Sequence, residues 1–180
     1  MKRTRTLILT ALFAALTAVG ALIRIPTPTS SFTLQIFFTA MAGVLLGPKW
    51  GALSQMIYVG LGLMGLPIFT LGGGPTYLLQ PSFGFLLGLI PATGLIGAIA
   101  QRSPTKRRVL LACLAGELVL YGAGLPYMYL ILNVCLGQSI APEQLLWTGM
   151  VICLPGDALK IAAVTALAPA LARRLSRPGT

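Results

Sequence analysis

Leu154-Pro155-Gly156-Asp157-Ala158-Leu159-Lys160 is the stretch on which the fold turns. It stands inside the last apolar run of the chain, Leu145 to Leu171, which has the length and composition of a membrane-spanning helix. An acid and a base in the middle of such a helix cost about 2.5–3.5 kcal/mol each on insertion scales. Asp157 and Lys160 are three residues apart and so share one helix face. One reading is a structural pair whose members neutralise each other. The other is a polar binding site for a substrate held within the membrane, the usual meaning of intramembrane charge.

Composition sets the class. Of 180 residues, 56% are hydrophobic and 9% charged, and the mean hydropathy is +0.88. A soluble domain of this length cannot bury that much apolar surface, so the chain is an integral membrane protein, one domain over residues 1–180 with no linker. The N-terminal Met1-Lys2-Arg3-Thr4-Arg5 before an apolar run has the look of a secretory signal. The run continues through Ile23 and the rest of the chain is equally apolar, so it reads as the first span. Cys113, Cys135 and Cys153 all fall in apolar stretches without metal-ligand spacing, which argues for small buried residues rather than disulfides or zinc.

Six spans are expected, at Leu7–Ile23, Phe32–Leu46, Ala52–Leu66, Phe83–Ala100, Val109–Leu132 and Leu145–Leu171. Gly47-Pro48-Lys49-Trp50 joins the second and third tightly. With the N-terminus inside, Lys2, Arg3, Arg5, Lys49, Arg102, Lys106, Arg107, Arg108, Arg173, Arg174 and Arg177 all lie on the cytoplasmic side, 11 of the 13 basic residues. Arg24 alone falls outside, and Lys160 is in the membrane. Both termini are therefore expected in the cytoplasm. The net charge of +10 is accounted for by topology, and nucleic acid is not expected as a partner. The basic turn from Gln101 to Arg108 faces anionic lipid or a protein.

Ala11/Ala15 and Ala14/Ala18 in the first span form small-xxx-small pairs, which let another helix approach closely. That helix is either a neighbour in the bundle or a separate subunit. The outer loop from Arg24 to Thr33, with Pro26 and Pro28, cannot be helical. It leads to Gln35 at the membrane edge, placed to cap a helix or face a ligand. The second outer loop, Gly65 to Gln80, is apolar and contains Gly72-Gly73-Gly74. No Gly-Lys-[Ser/Thr] occurs anywhere, so a Walker A loop is absent. The loop is either a flexible turn or folded back over a cavity, where its amides offer donors to an anion. Glu117, with Tyr121 one turn on, is a second acid at membrane depth, without an assigned place in the site.

In order along the chain, Thr33-Leu34-Gln35, Gly65-Leu66-Pro67-Ile68-Phe69 before the glycine cluster, Pro81-Ser82-Phe83-Gly84-Phe85-Leu86 and Pro155-Gly156-Asp157-Ala158-Leu159-Lys160 resemble the BioY family, the biotin-binding S components of energy-coupling factor transporters. The likeness runs over essentially the whole chain. It departs from the family pattern at Gln80, Ser82 and Phe85, which stand for Gly, Thr and Tyr, so a hydroxyl contact from the last position is missing. The resemblance implies the S-component fold and a biotin pocket near the outer face of a bacterial plasma membrane. It also implies docking, through the alanine face of the first helix, on a transmembrane coupling subunit driven by two cytoplasmic ATPases. It places Asp157 and Lys160 on the ligand. Biotin is the ligand and no cofactor is expected.

The chemistry agrees. Biotin's ureido ring has two N–H donors and one carbonyl acceptor, matched by an ionised Asp157 and by Lys160. Gln35 stands at the mouth, Tyr77 and Tyr121 belong to the aromatic walls, and the amides of Gly73 and Gly74 are the candidates for the carboxylate. A stand-alone proton- or cation-coupled transporter, with Asp157 and Glu117 as relay groups, is the competing reading. An enzyme is not expected, because no His, metal cluster or nucleophile with a base is present.

Overall fold

The structure, a computed structural model, describes residues 3–26, 31–101 and 103–176. Lys2, Arg102 and Arg177 of the inner basic set, and Pro28 of the first outer loop, lie outside the described residues. The fold is helical: α1 (Arg3–Leu22), α2 (Gln35–Leu63), α3 (Phe83–Ala100), α4 (Lys106–Tyr129), α5 (Pro142–Leu146) and α6 (Leu154–Ser176). A short antiparallel hairpin, β1 (Arg24–Pro26) and β2 (Ser31–Thr33), adds the one strand pair among the described residues, with Arg24 opposite Thr33. It occupies the first outer loop, where proline excludes helix.

Helix α1 buries Thr6, Thr10, Phe13, Ala14, Thr17 and Ala21, a stripe at three- and four-residue spacing. Its buried hydroxyls cost little, because Thr10 and Thr17 each donate to the carbonyl four residues earlier at 2.8 Å. Ile8, Leu12 and Val19 stay exposed on the opposite face, where lipid is the natural solvent.

Among the described residues, five helical runs are long and apolar enough to cross a membrane: Arg3–Leu22, Gln35–Leu63, Phe83–Ala100, Lys106–Cys135 and Pro142–Leu175. The second and third expected spans thus share one run. That run is broken at Gly47, whose φ of 79° is open to glycine but costly for other residues. Thr39 Oγ1 donates to Gln55 Oε1 at 3.2 Å, and Gln35 Nε2 to the Tyr58 hydroxyl at 2.8 Å. In a straight helix, residues that far apart in sequence would be separated by about 24 Å or more. The run is therefore a helical hairpin with arms 35–46 and 48–63, joined by a turn so tight that almost no residue leaves helical geometry. Neither arm by itself has the roughly 20 residues of an ordinary span.

Helix α2 packs on both α1 and α3, α3 on α4, and α6 closes the bundle against α2 and α4. Two apolar clusters fill it. One, around Phe13, Met41, Ile96, Val109 and Val164, lies toward the Gly47 turn; the other, around Tyr58, Phe69, Phe83 and Leu89, lies toward the β-hairpin.

The last expected span falls within the run Pro142–Leu175, which is irregular in its first half. Within it α5 passes through a π-helical turn (Trp147–Val151) and two turn residues, Ile152 and Cys153, before α6 begins at Leu154. Asp157 stands in the first turn of α6, midway along the run. The positive end of the helix dipole favours an anion there.

Candidate functional site

The bundle encloses a cavity of about 560 Å³ at the end that carries the β-hairpin, a size typical of small-molecule sites. Asp157 and Lys160 form its charged floor and are 2% and 5% exposed. The Lys160 ammonium lies 2.5 Å from Asp157 Oδ1 and donates to the Thr33 carbonyl at 2.9 Å. The Tyr121 hydroxyl donates to Asp157 Oδ2 at 2.6 Å. The charges are thus paired and partly hydrogen-bonded, as burial demands. Asp157 Oδ1 has its ion pair but accepts no hydrogen bond. The Asp157 N–H bonds the Cys153 carbonyl at 3.0 Å, across the junction that precedes α6.

Gln35 is buried at the start of α2 and lines the cavity. It does not cap its helix through its side chain. Its amide oxygen accepts from Thr33 Oγ1 at 2.8 Å and its nitrogen donates to Tyr58. This chain of bonds fixes the segment whose carbonyl holds Lys160.

The glycine-rich loop folds inward, the second of the two readings open for it. Phe69 is 1% exposed and seats its ring against Gly62, where any Cβ would overlap it. From there aromatic rings run through Tyr58, Phe69, Tyr77, Phe83 and Tyr127, with successive centroids 4.7–6.3 Å apart. Tyr77 reaches the cavity wall, and Phe85 lines it with an edge contact to Tyr121. Gly73 and Gly74 do not line the cavity. Gly73 is wedged against the Leu66 carbonyl, and the Gly74 amide donates to the Gly62 carbonyl at 2.7 Å. Their place in the loop is architectural, and the Gly74 amide is already committed.

Sequence reasoning missed Arg24. Strand pairing sets it opposite Thr33, so the two side chains share a face of the hairpin. Its guanidinium bonds the Thr70 carbonyl at 2.5 Å, tying the hairpin to the glycine-rich loop at the cavity mouth. The available signal was its solitude as the one outer basic residue. Gln80 and Ser82, two of the positions that depart from the family pattern, also line the cavity. Glu117 is 9% exposed and lies beneath the floor, against Asp157. Cys113 and Cys153 are buried as expected, whereas Cys135 is exposed at the end of the π-helical segment, Leu130–Cys135, that follows α4.

The alanines of α1 divide. Ala14 is buried in the bundle, Ala11 and Ala15 are exposed, and Ala18 is half-buried. Positions 11, 14, 15 and 18 share one helix face, but α1 is turned so that the Ala14 edge of that face, next to Phe13 and Thr17, is packed in the bundle and the Ala11–Ala15 edge is left outside.

A multi-pass helical bundle with a largely apolar cavity, closed at depth by one acid and one base, defines a membrane protein that binds a small polar-headed molecule. It has the makings of a carrier rather than an enzyme. Residues 1–177 match the BioY family, and the chain belongs to that family. It is 46% identical over 156 residues to the probable biotin transporter BioY of Lysinibacillus sphaericus, covering 86% of this chain and 80% of that one. It is 34% identical to the biotin transporter BioY of Rhodobacter capsulatus, covering 96% and 95%. The fold is similar to the crystal structure of the S-component for biotin from an ECF-type ABC transporter, with a TM-score of 0.81 at 27% identity over 99% of this chain and 94% of that one. The chain thus has the S-component fold.

Proposed function

We infer that this chain captures biotin as the S component of an ECF-type transporter. The observation that carries the reading is the buried Asp157–Lys160 pair on the cavity floor. A ureido ring supplies the complementary set: an N–H for the unspent acceptor on Asp157 Oδ1 and a carbonyl for the Lys160 ammonium. Phe85, Leu86, Leu89 and Tyr121 offer apolar wall to the bicyclic ring and valeryl chain. At the mouth, Arg24 has donors beyond the one spent on Thr70 and suits the carboxylate.

The topology belongs to the same reading. Arg5 Nη1 donates to the Leu175 carbonyl at 3.3 Å, so both ends of the described chain lie side by side. That favours an even number of crossings, six when the two arms of α2 are counted separately. Arg3, Arg5, Lys49, Lys106, Arg107, Arg108, Arg173 and Arg174 are exposed around that end, which supports a cytoplasmic side for it. The chain then acts as one binding unit in a bacterial plasma membrane. The exposed Ala11–Ala15 face of α1 is its docking stripe for a transmembrane coupling subunit and, through it, two cytoplasmic ATPases.

Isothermal titration of the purified protein with biotin, biotin amide and a simple pentanoate tests this. Saturable biotin binding, weaker binding of the amide and none of pentanoate are expected. Pentanoate binding as tightly as biotin would remove the ureido-recognition argument. Uptake into proteoliposomes that follows a pH gradient without any ATPase would favour the stand-alone transporter.

A further inference from the structure

Directly beneath the cavity floor, Glu117 of α4 reaches the underside of the charged pair. Its carboxyl lies within hydrogen-bond reach of Asp157, and its Oε1 is fully buried without a hydrogen-bond partner. It borders a cleft shared with Lys160, Cys113 and Thr39, with a volume of about 10 Å³. A water needs at least about that much room, so the cleft takes one water at most, too little to solvate a second charge.

The cluster holds two carboxyl groups and one ammonium. Lys160 balances one negative charge, and a second would be buried at membrane depth. Two carboxylates in hydrogen-bond contact also repel unless a proton lies between them. We propose that Glu117 is a positioning residue for the ligand site: it carries a proton and donates it in a hydrogen bond to Asp157, holding that carboxylate ionised and aimed at the cavity. A carboxylate has about four acceptor sites. Tyr121, Lys160 and Glu117 take three of them, which leaves one directed at a ureido N–H. Loss of the Glu117 proton turns a donor into a second anion that competes for Lys160. The charged pair then loosens and the ligand is released more readily. This rests on the biotin reading above for what the ligand is, but not for where the proton sits.

Other titratable and charged groups facing Glu117 are Asp157 and Lys160 from α6, Cys153 from the turn before it, and Cys113 and Tyr121 from its own helix. The experiment compares the parent with Glu117→Gln and Glu117→Leu. Glutamine keeps the shape and a donor, so it retains biotin affinity within about threefold, whereas leucine weakens it by roughly tenfold or more. Affinity of the parent falls from mildly acidic to mildly alkaline pH, and Glu117→Gln abolishes that fall. Infrared spectra of the ligand-free parent show the C=O band of a buried protonated carboxyl, and Glu117→Gln removes it. A parent lacking that band overturns the proposal even if every variant misfolds. So does a folded glutamine variant as weak as leucine, a leucine variant with parental affinity, or a pH profile unchanged by Glu117→Gln. Failure of the parent to bind biotin at any pH would refute the function and leave the infrared result to judge Glu117.

Discussion

Removing either member of the Asp157–Lys160 pair should weaken biotin binding by very different amounts. Both side chains are more than nine-tenths buried, so salt and solvent screen them little. Truncating one partner of a buried hydrogen-bonded charge pair costs about 2–5 kcal/mol, which is roughly 30-fold to 4,000-fold in affinity. Asp157→Asn should fall near the lower figure. It keeps an acceptor for the ligand, Lys160 keeps the Thr33 carbonyl, and Glu117 is at hand as a substitute anion. Lys160→Met should fall near the upper figure, because it leaves Asp157 beside Glu117 with no cation between them and removes the donor for the ureido carbonyl. Isothermal titration of each variant, first shown to be monodisperse in detergent, gives the numbers, and thermal unfolding without biotin gives the stability. If the pair were structural only, each single change would impair folding and the double change Asp157→Asn/Lys160→Met would restore it, as apolar replacements of buried ion pairs often do. A well-folded double variant that binds biotin like the parent would refute the reasoning.

Three further outcomes are expected. Ala11→Trp or Ala15→Trp, on the exposed face of α1, should spare biotin binding and block co-purification with the coupling subunit, whereas Ala14→Trp should lower the unfolding temperature because it overfills a packed interior; the opposite pattern would assign Ala14 to the docking face. In intact cells, an impermeant maleimide should label native Cys135 from outside but neither Cys113 nor Cys153, while Ser103→Cys in a Cys-less background should label only after permeabilisation; external labelling of Ser103→Cys would invert the topology. Arg24→Gln should weaken biotin by about tenfold, the worth of a charge-assisted hydrogen bond, and leave biotin amide unaffected; equal losses for both would take the carboxylate away from Arg24.

Helix content and the charged pair were legible because they rest on composition and spacing. A run of apolar residues permits little but a helix in lipid, and two charges three residues apart must share a face. The break before α6 was not legible. Ala141 to Gly156 has no polar loop to mark it, and Pro155 is as compatible with a kinked helix as with the first turn of a new one. The division of the alanines escaped for a related reason. Small residues mark close packing, but not whether the partner lies inside the bundle or beyond it, and only the burial of Thr10, Phe13 and Thr17 fixes which way α1 faces. Gly73 and Gly74 misled because glycine frees amides and permits wedging equally well. The loop around them is shaped by where Phe69 and Tyr77 insert, a long-range packing choice that local sequence does not encode.

The helix start at Leu154 also explains how one chain can hold a charged site and still be no channel. With Asp157 in the first turn, the floor of the cavity gains the helix dipole on one side and lies under folded loops on the other, so polar backbone is kept out of lipid. Below that floor the space closes to the small cleft beside Glu117 and then to the packed cluster of Phe13, Met41, Ile96, Val109 and Val164. Side chains packed at interior density do not part to pass a molecule as large as biotin. A ligand taken up at the hairpin end therefore cannot fall through the bundle. Its delivery requires the loops, or the whole body, to move relative to the membrane. The sequence contains no Walker A loop to supply the work. On the proposed reading the energy enters from a partner subunit, and the face of α1 that carries Ala11 and Ala15 between Ile8, Leu12 and Val19 is exposed, as a helix seated against it would need.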